Sequence, residues 1–228
     1  MRGKFITFEG GEGTGKSTQA AMLALRLESL GLNVQLTREP GGSPGAEIIR
    51  HVLLSGAAKP LGPDVEAMLF AAARDDHVHW TILPAIEAGK WVISDRFADS
   101  TRVYQGVLGQ VDQRLIKGLE RVSIGDLNPD LTVILDVPVE IGLERARLRR
   151  GAAGEPDRFE AENVEFHQKL REAYRAIAEA EPERCVVIEA AGAKEEIAKA
   201  IWETVKARLA PAPPLPRAVE DTVTSPGA

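Results

Sequence analysis

The sequence predicts an α/β domain built on a doubly wound, five-stranded parallel sheet flanked by helices. Three observations carry that expectation. Five short apolar runs, at residues 4–9, 33–37, 91–95, 131–136 and 184–189, alternate with stretches of helical periodicity. Their centres are apolar throughout rather than at every second residue, as strands covered by helices on both faces require. A glycine-rich stretch separates the first run from the first helical pattern, and charged residues close the second and third runs, where an open α/β sheet holds its ligands.

The first run, Phe5-Ile6-Thr7-Phe8, leads into Gly10-Gly11-Glu12-Gly13-Thr14-Gly15-Lys16-Ser17, followed by Thr18. This stretch fits the phosphate-loop pattern G-x-x-x-x-G-K-[ST] in its required strand–loop–helix setting. Glycines let the backbone wrap an anion closely and aim N–H groups inward, and the helix opening at Lys16 adds its positive dipole end. Lys16 is expected to reach the β- and γ-phosphates of a nucleoside triphosphate, and the Ser17 hydroxyl to ligate magnesium. The fold expected is therefore phosphate-loop NTPase-like.

The first helix repeats Leu23, Leu27 and Leu30 at helical spacing and stops at Gly31, a natural C′ residue. The second run ends in Thr37-Arg38-Glu39-Pro40-Gly41-Gly42, where proline and glycines force a turn and leave Arg38 at the sheet rim. The third ends in Ser94-Asp95-Arg96-Phe97. An aspartate there suits magnesium, directly or through water, and the adjacent arginine suits a second phosphate. Two rim arginines exceed what one triphosphate needs, so a second anionic substrate is expected. Phe166, Leu170, Tyr174 and Ile177 form one later helical stripe, and Ile197, Ile201, Val205 and Leu209 another. From residue 210 prolines and polar residues take over, so residues 1–209 read as a single domain and 210–228 as a disordered tail.

Composition narrows the class. A net charge of −6 argues against general nucleic-acid affinity. No apolar run approaches the length of a membrane span, and no apolar leader opens the chain. The single cysteine, Cys185, closes no internal disulfide and reads as a buried, inert thiol. A soluble protein in a reducing, cytoplasmic setting is expected.

Five blocks, in this order and at these intervals, resemble the bacterial thymidylate kinase family: Phe8-Glu9-Gly10-Gly11-Glu12-Gly13, Thr37-Arg38-Glu39-Pro40-Gly41-Gly42, Leu69-Phe70-Ala71-Ala72-Ala73-Arg74, Asp95-Arg96-Phe97 and Ser100-Thr101-Arg102-Val103-Tyr104-Gln105-Gly106. The resemblance covers residues 4–209. It implies transfer of the γ-phosphoryl group of ATP to dTMP, giving dTDP and ADP, with Mg2+ held near Ser17 and Asp95. It further implies that Arg38 and Arg96 grip the dTMP phosphate and that Glu12 accepts from the sugar 3′-hydroxyl. Phe70 would stack on thymine, and Arg74, one helical turn later, would donate to a thymine carbonyl. Thr101 and Gln105 would read the remaining polar edge of the base, Tyr104 would crowd a ribose 2′-hydroxyl, and Ser100 joins the substrate-binding set. A homodimer formed through helices beside the sheet is also a family property. Asp75 and Asp76 offer Arg74 a merely local pairing, and core packing is the plain reading of Phe70. His77 and His79 flank the same face and, without metal-ligand spacing, read as surface histidines.

Arg145, Arg147, Arg149 and Arg150 end a helix ahead of the glycine-containing stretch 151–156 and Asp157-Arg158-Phe159-Glu160. Like charges four apart repel on a helix, so an anion would relieve them. We read residues 145–160 as a lid hinged at Gly151 and Gly154 that closes over ATP and supplies a transition-state arginine. The acidic Glu12, in a loop without arginine, matches the family members whose catalytic arginine sits in the lid. Residues 151–156 look like a small insertion relative to the common family pattern, which leaves the arginine open among Arg149, Arg150 and Arg158. Two other readings stand beside this one: a kinase of another deoxynucleotide such as dUMP or dCMP, and a regulatory ATPase or GTPase. Against the latter, no Asn-Lys-x-Asp guanine-reading motif is present.

Overall fold

The computed structural model describes residues 2–151 and 159–211. In chain order the elements are β1 (Phe5–Glu9), α1 (Lys16–Glu28), β2 (Val34–Arg38), α2 (Pro44–Leu54), α3 (Pro63–His77), α4 (Leu83–Glu87), β3 (Trp91–Asp95), α5 (Ala98–Thr101), α6 (Gln113–Ile124), β4 (Leu131–Asp136), α7 (Val139–Arg150), α8 (Val164–Ala180), β5 (Cys185–Glu189) and α9 (Lys194–Leu209). Every strand falls within a residue of the run that predicts it. The strands form one parallel sheet in the order β2-β3-β1-β4-β5, with Phe8 opposite Asp95 on one side of β1 and Val133 on the other.

Side-chain alternation along β1 divides the interior into two layers. Ile6 and Phe8 pack with Leu23 and Leu27 of α1 and with Ile197, Ile201 and Val205 of α9. Phe5 points the other way, into Ile82, Ile86, Val92 and Phe97. Complete burial of a side chain such as Leu27 is worth roughly 1.5–3 kcal/mol, so these two layers carry most of the folding drive. Burial on both faces holds for β1 and β4 and for all but the last residue of β3, but not for β2 and β5. Those two are the sheet edges, where helices cover the faces only in part, and Leu36 stays 44% exposed.

Leu30 lies just beyond α1, and Gly31 turns the chain with φ 80°, its N–H donating to Glu28 O at 2.8 Å. Wide π-helical turns at Val78–Ile82 and Arg102–Leu108 interrupt the helical periodicity, and the second carries Tyr104 and Gln105. Buried Asp99 anchors that region by accepting from both Arg184 terminal nitrogens at 2.7 and 2.8 Å. Cys185 is buried as expected, and burial pushes its thiol up to about 11. The lid residues Arg158 and Gly154, and the tail from 212 onward, lie outside the described residues.

Candidate active site

The loop from Gly10 to Gly15 leaves the carboxyl end of β1, the middle strand, and opens α1. Gly13 and Gly15 take φ 67° and 93°, and a Cβ on Gly13 would sit 1.8 Å from Gly142 O of α7, so glycine is obligatory there. Thr14 Oγ1 donates to Gly11 O at 3.0 Å, and the buried Lys16 ammonium donates to Gly11 O at 2.6 Å and Gly10 O at 3.1 Å. Burial, then the neighbouring Arg96 charge, lowers Lys16 to about 8. Ser17 Oγ donates to Asp95 Oδ2, and Thr18 is exposed on the first turn of α1. Hydroxyl and carboxylate oxygens converging beside a phosphate loop fit Mg2+, which takes few protein ligands and completes its shell with phosphate and water. Among the described residues no cluster of three or more His, Cys, Asp or Glu forms a separate metal cage.

Next to the loop lies a cleft of about 170 Å³ walled by Glu12, Phe70, Arg74, Arg96, Tyr104 and Gln105, with Ser100 and Thr101 on the same wall. Arg96 and Glu12 pair at 2.6 Å, with side chains only 15% and 13% exposed, and Tyr104 OH donates to the same carboxylate at 2.9 Å. The Arg96 guanidinium lies 5.2 Å from the Tyr104 ring centre. Burial works against the Glu12 charge, but Arg96 and then Lys16 hold the carboxyl down at about 2.

Phe70 is half-buried on the cleft wall, 6.4 Å from the Phe159 ring, rather than in the core. Arg74 ignores Asp75 and Asp76. Its Nε donates to Glu39 at 2.8 Å and its Nη2 to Thr101 Oγ1 and Phe97 O at 3.1 Å each. Burial opposes the Glu39 charge, while Arg74 and His77 hold it below the ordinary carboxylate value. Asp76 instead accepts from Ser43 Oγ and from Ala46 N–H, which satisfies the start of α2.

One expectation needs revision. His77 is fully buried, not a surface residue: Nδ1 meets Glu39 at 3.0 Å and Nε2 meets Thr37 Oγ1 at 2.7 Å, so polar partners on both sides offset its desolvation. His79 is exposed as expected. Arg38 is not among the residues that line the cleft. Half-exposed at the end of β2, it donates to Glu47 of α2 at 2.9 Å. Arg50 lines the cleft there instead, donating to Pro40 O at 2.6 Å.

The basic end of α7 divides its charges. Arg145 donates to the carbonyls of Ala190 and Ala191 after β5, and Arg147 pairs with Glu144. Arg149 and Arg150 both reach Glu160, so one carboxylate already offsets part of the repulsion that the sequence implied.

Three site residues escape sequence reasoning: Arg50, Tyr174 and Glu9. Glu9 closes β1 as Asp95 closes β3, so the strand-end signal that marks Asp95 was available for it too. It is fully buried, and burial followed by the Asp99 charge raises its carboxyl to about 7, against a downward pull from Arg96.

A parallel sheet whose middle strand feeds a glycine loop and a helix that opens at a lysine defines the phosphate-loop NTPase class, here with a second cleft beside the loop. Comparison with known proteins narrows the class. The chain belongs to the thymidylate kinase family, whose model matches residues 8–201. It is 64% identical to the thymidylate kinase of Nitrobacter winogradskyi over 208 residues, 91% of this chain and 90% of that protein. With the Bradyrhizobium diazoefficiens thymidylate kinase it shares 62% identity over 212 residues, 93% and 92% of the two chains. The crystal structure of thymidylate kinase from Ehrlichia chaffeensis superposes with a TM-score of 0.71 at 34% identity, covering 90% of this chain and 99% of that one.

Proposed function

We infer that the chain transfers the γ-phosphoryl group of ATP to dTMP, the reaction that its family membership carries, and that the two adjacent sites described above divide the substrates between them. An oxygen of the dTMP phosphate attacks the γ-phosphorus as the bond to the β-bridging oxygen breaks, giving dTDP and ADP. The acceptor is already an anion, so the reaction needs no strong base. The obstacle is repulsion between two phosphates, and the answer is positioning together with fixed cations.

In this reading the loop amides from Gly10 to Gly15, Lys16 and the first turn of α1 hold the ATP phosphates. Ser17 and Asp95 would hold Mg2+, which would supply charge neutralisation to the phosphates when bound. Arg96 receives the dTMP phosphate, with Arg38 a further ligand only if it leaves Glu47. Phe70 supplies the stacking platform, Arg74, Thr101 and Gln105 the polar edge, and Glu12 with Tyr104 the sugar contacts. Arg149 or Arg150 moves from Glu160 to the transferring group as the lid of residues 145–160 closes, with Arg158 as the third candidate.

The observation that carries this reading is the Glu12–Arg96 pair, which walls the cleft from within hydrogen-bond reach of the phosphate loop, Arg96 Nη1 donating to Gly10 O at 3.2 Å. Exposed Ile48 of α2, Met68 of α3 and Val122 of α6, with α3 packed between α2 and α6, support a homodimer through that layer. A cytoplasmic setting completes the reading, supported by the lone cysteine, and no helix among the described residues is long and apolar enough to cross a membrane.

Thermal melting with single ligands tests it. dTMP alone, at a hundred times its Kd, stabilises by about 2.7 kcal/mol and raises Tm by several degrees. A melting point that moves with the triphosphate and ignores dTMP would contradict the two-site reading.

A further inference from the structure

Glu9 is a fully buried carboxylate to which the reaction above gives no task. Its Oε1 accepts from Phe97 N–H at 2.8 Å, and its Oε2 accepts from Ser100 Oγ at 2.7 Å and Tyr174 OH at 3.0 Å. These donors come from the turn after β3, from α5 and from α8, so a single carboxylate at the end of β1 ties three elements together behind the cleft.

All three donors lead to Arg96. This residue sits at φ 72°, a left-handed conformation that a residue with a side chain rarely adopts and that its surroundings must enforce. Its own N–H donates to Phe8 O at 2.9 Å, and its carbonyl accepts from Ser94 Oγ at 2.7 Å. The next N–H, that of Phe97, is the one Glu9 holds, so the backbone is pinned on both sides of the strained residue. At the far end of the side chain, Arg96 Nη1 donates to Ser100 Oγ and to Tyr174 OH at 3.3 Å each, the same two hydroxyls that touch Glu9. Glu12 grips the other nitrogen, Nη2, from inside the cleft.

We propose that Glu9 is the positioning residue for Arg96: it enforces the left-handed turn through Phe97 N–H and aims the guanidinium through Ser100 and Tyr174, so the fork meets the acceptor phosphate already oriented. A guanidinium binds phosphate through two parallel N–H bonds, and a small rotation forfeits one of them. Glu9 itself stays behind the cleft wall and touches no substrate. The proposal rests on Arg96 as the ligand of the acceptor phosphate.

The experiment measures kcat and the separate KM values for dTMP and ATP, with thermal melting, on the full chain and on Glu9→Gln, Tyr174→Phe and Arg96→Ala. Glu9→Gln keeps the size of the side chain and removes its charge and one acceptor. We expect its KM for dTMP to rise about tenfold or more while KM for ATP stays within about threefold, a split that loss of folded protein cannot produce. Tyr174→Phe removes one of the two hydroxyl links and raises KM for dTMP by about threefold. If Glu9→Gln melts without a cooperative transition, Tyr174→Phe decides: a dTMP-specific rise supports the proposal, and an unchanged KM overturns it. Equal changes in both KM values for Glu9→Gln, or none, overturn it as well. Arg96→Ala separates the two levels. If it raises KM for dTMP while Glu9→Gln does not, only the positioning role falls. If it leaves KM for dTMP unchanged, the reading of Arg96 falls and the positioning role with it.

Discussion

Glu12→Gln removes the carboxylate that Arg96 and Tyr104 hold at 2.6 and 2.9 Å. Burial alone would lift this carboxyl, yet Arg96 and Lys16 bring it to about 2 from an ordinary 4.5. In the unfolded chain it returns to the ordinary value, and the gap, at about 1.36 kcal/mol per pH unit, amounts to roughly 3 kcal/mol of folding free energy. The side chain is only 13% exposed, so solvent screening takes little from that figure. The sign follows from linkage: the folded-state pKa is depressed, so the contribution is complete above about 4.5 and is lost as pH falls from there toward 2. About 2 kcal/mol of it is gone by pH 3. Urea denaturation of the wild type and the variant at pH 7, 5 and 3 reads the effect directly. Glutamine does not titrate, so the wild type should lose about 2 kcal/mol more than the variant between pH 7 and pH 3, with most of the divergence below pH 5. Parallel pH profiles would refute the claim that Arg96 and Lys16 hold Glu12 charged in the folded protein.

Gly13→Ala drives a methyl carbon to 1.8 Å from Gly142 O at φ 67°, so the loop must shift from α7, and ATP affinity measured by titration calorimetry should fall at least about tenfold. Arg74→Ala leaves Glu39, 5% exposed, without its guanidinium partner, and should cost about 3–5 kcal/mol in chemical denaturation; a loss under 1 kcal/mol would mean that His77 alone suffices. Single alanine changes at Arg149, Arg150 and Arg158 should lower kcat by more than about tenfold for one of the three, and a series in which none does so would remove the lid arginine from the mechanism.

Much of this was legible in the sequence because local chemistry determined it. Alternation of apolar runs with helical stripes located all five strands; the inner strands are covered on both faces and tolerate little else, and the edge strands β2 and β5 kept enough apolar residues to be read the same way. The phosphate loop was readable because its function needs glycine at fixed offsets. Phe70, Arg74, Thr101 and Gln105 could be tied to one cleft only through the family resemblance, because residues 70 and 105 meet by the packing of α3 against the turn at Arg102–Leu108. His77 was misread because its partners Thr37 and Glu39 lie some forty residues away in sequence, and burial set by distant partners leaves no local periodicity. Arg50 lines the cleft without any local signal in the sequence, and Arg38 meets Glu47 of α2, a partner that strand-end position alone does not reveal. Glu9 carried the strand-end signal, but nothing in the sequence announced that Phe97, Ser100 and Tyr174 would converge on it.

The most direct test of the central claim is a coupled ADP-release assay with ATP and Mg2+, comparing dTMP, dUMP, dCMP, dGMP, dAMP and thymidine as acceptors. The two-site account predicts strong preference for dTMP, lost selectively when Phe70 or Arg74 is replaced. Turnover that favours another acceptor, or ADP release that ignores every acceptor, would contradict it.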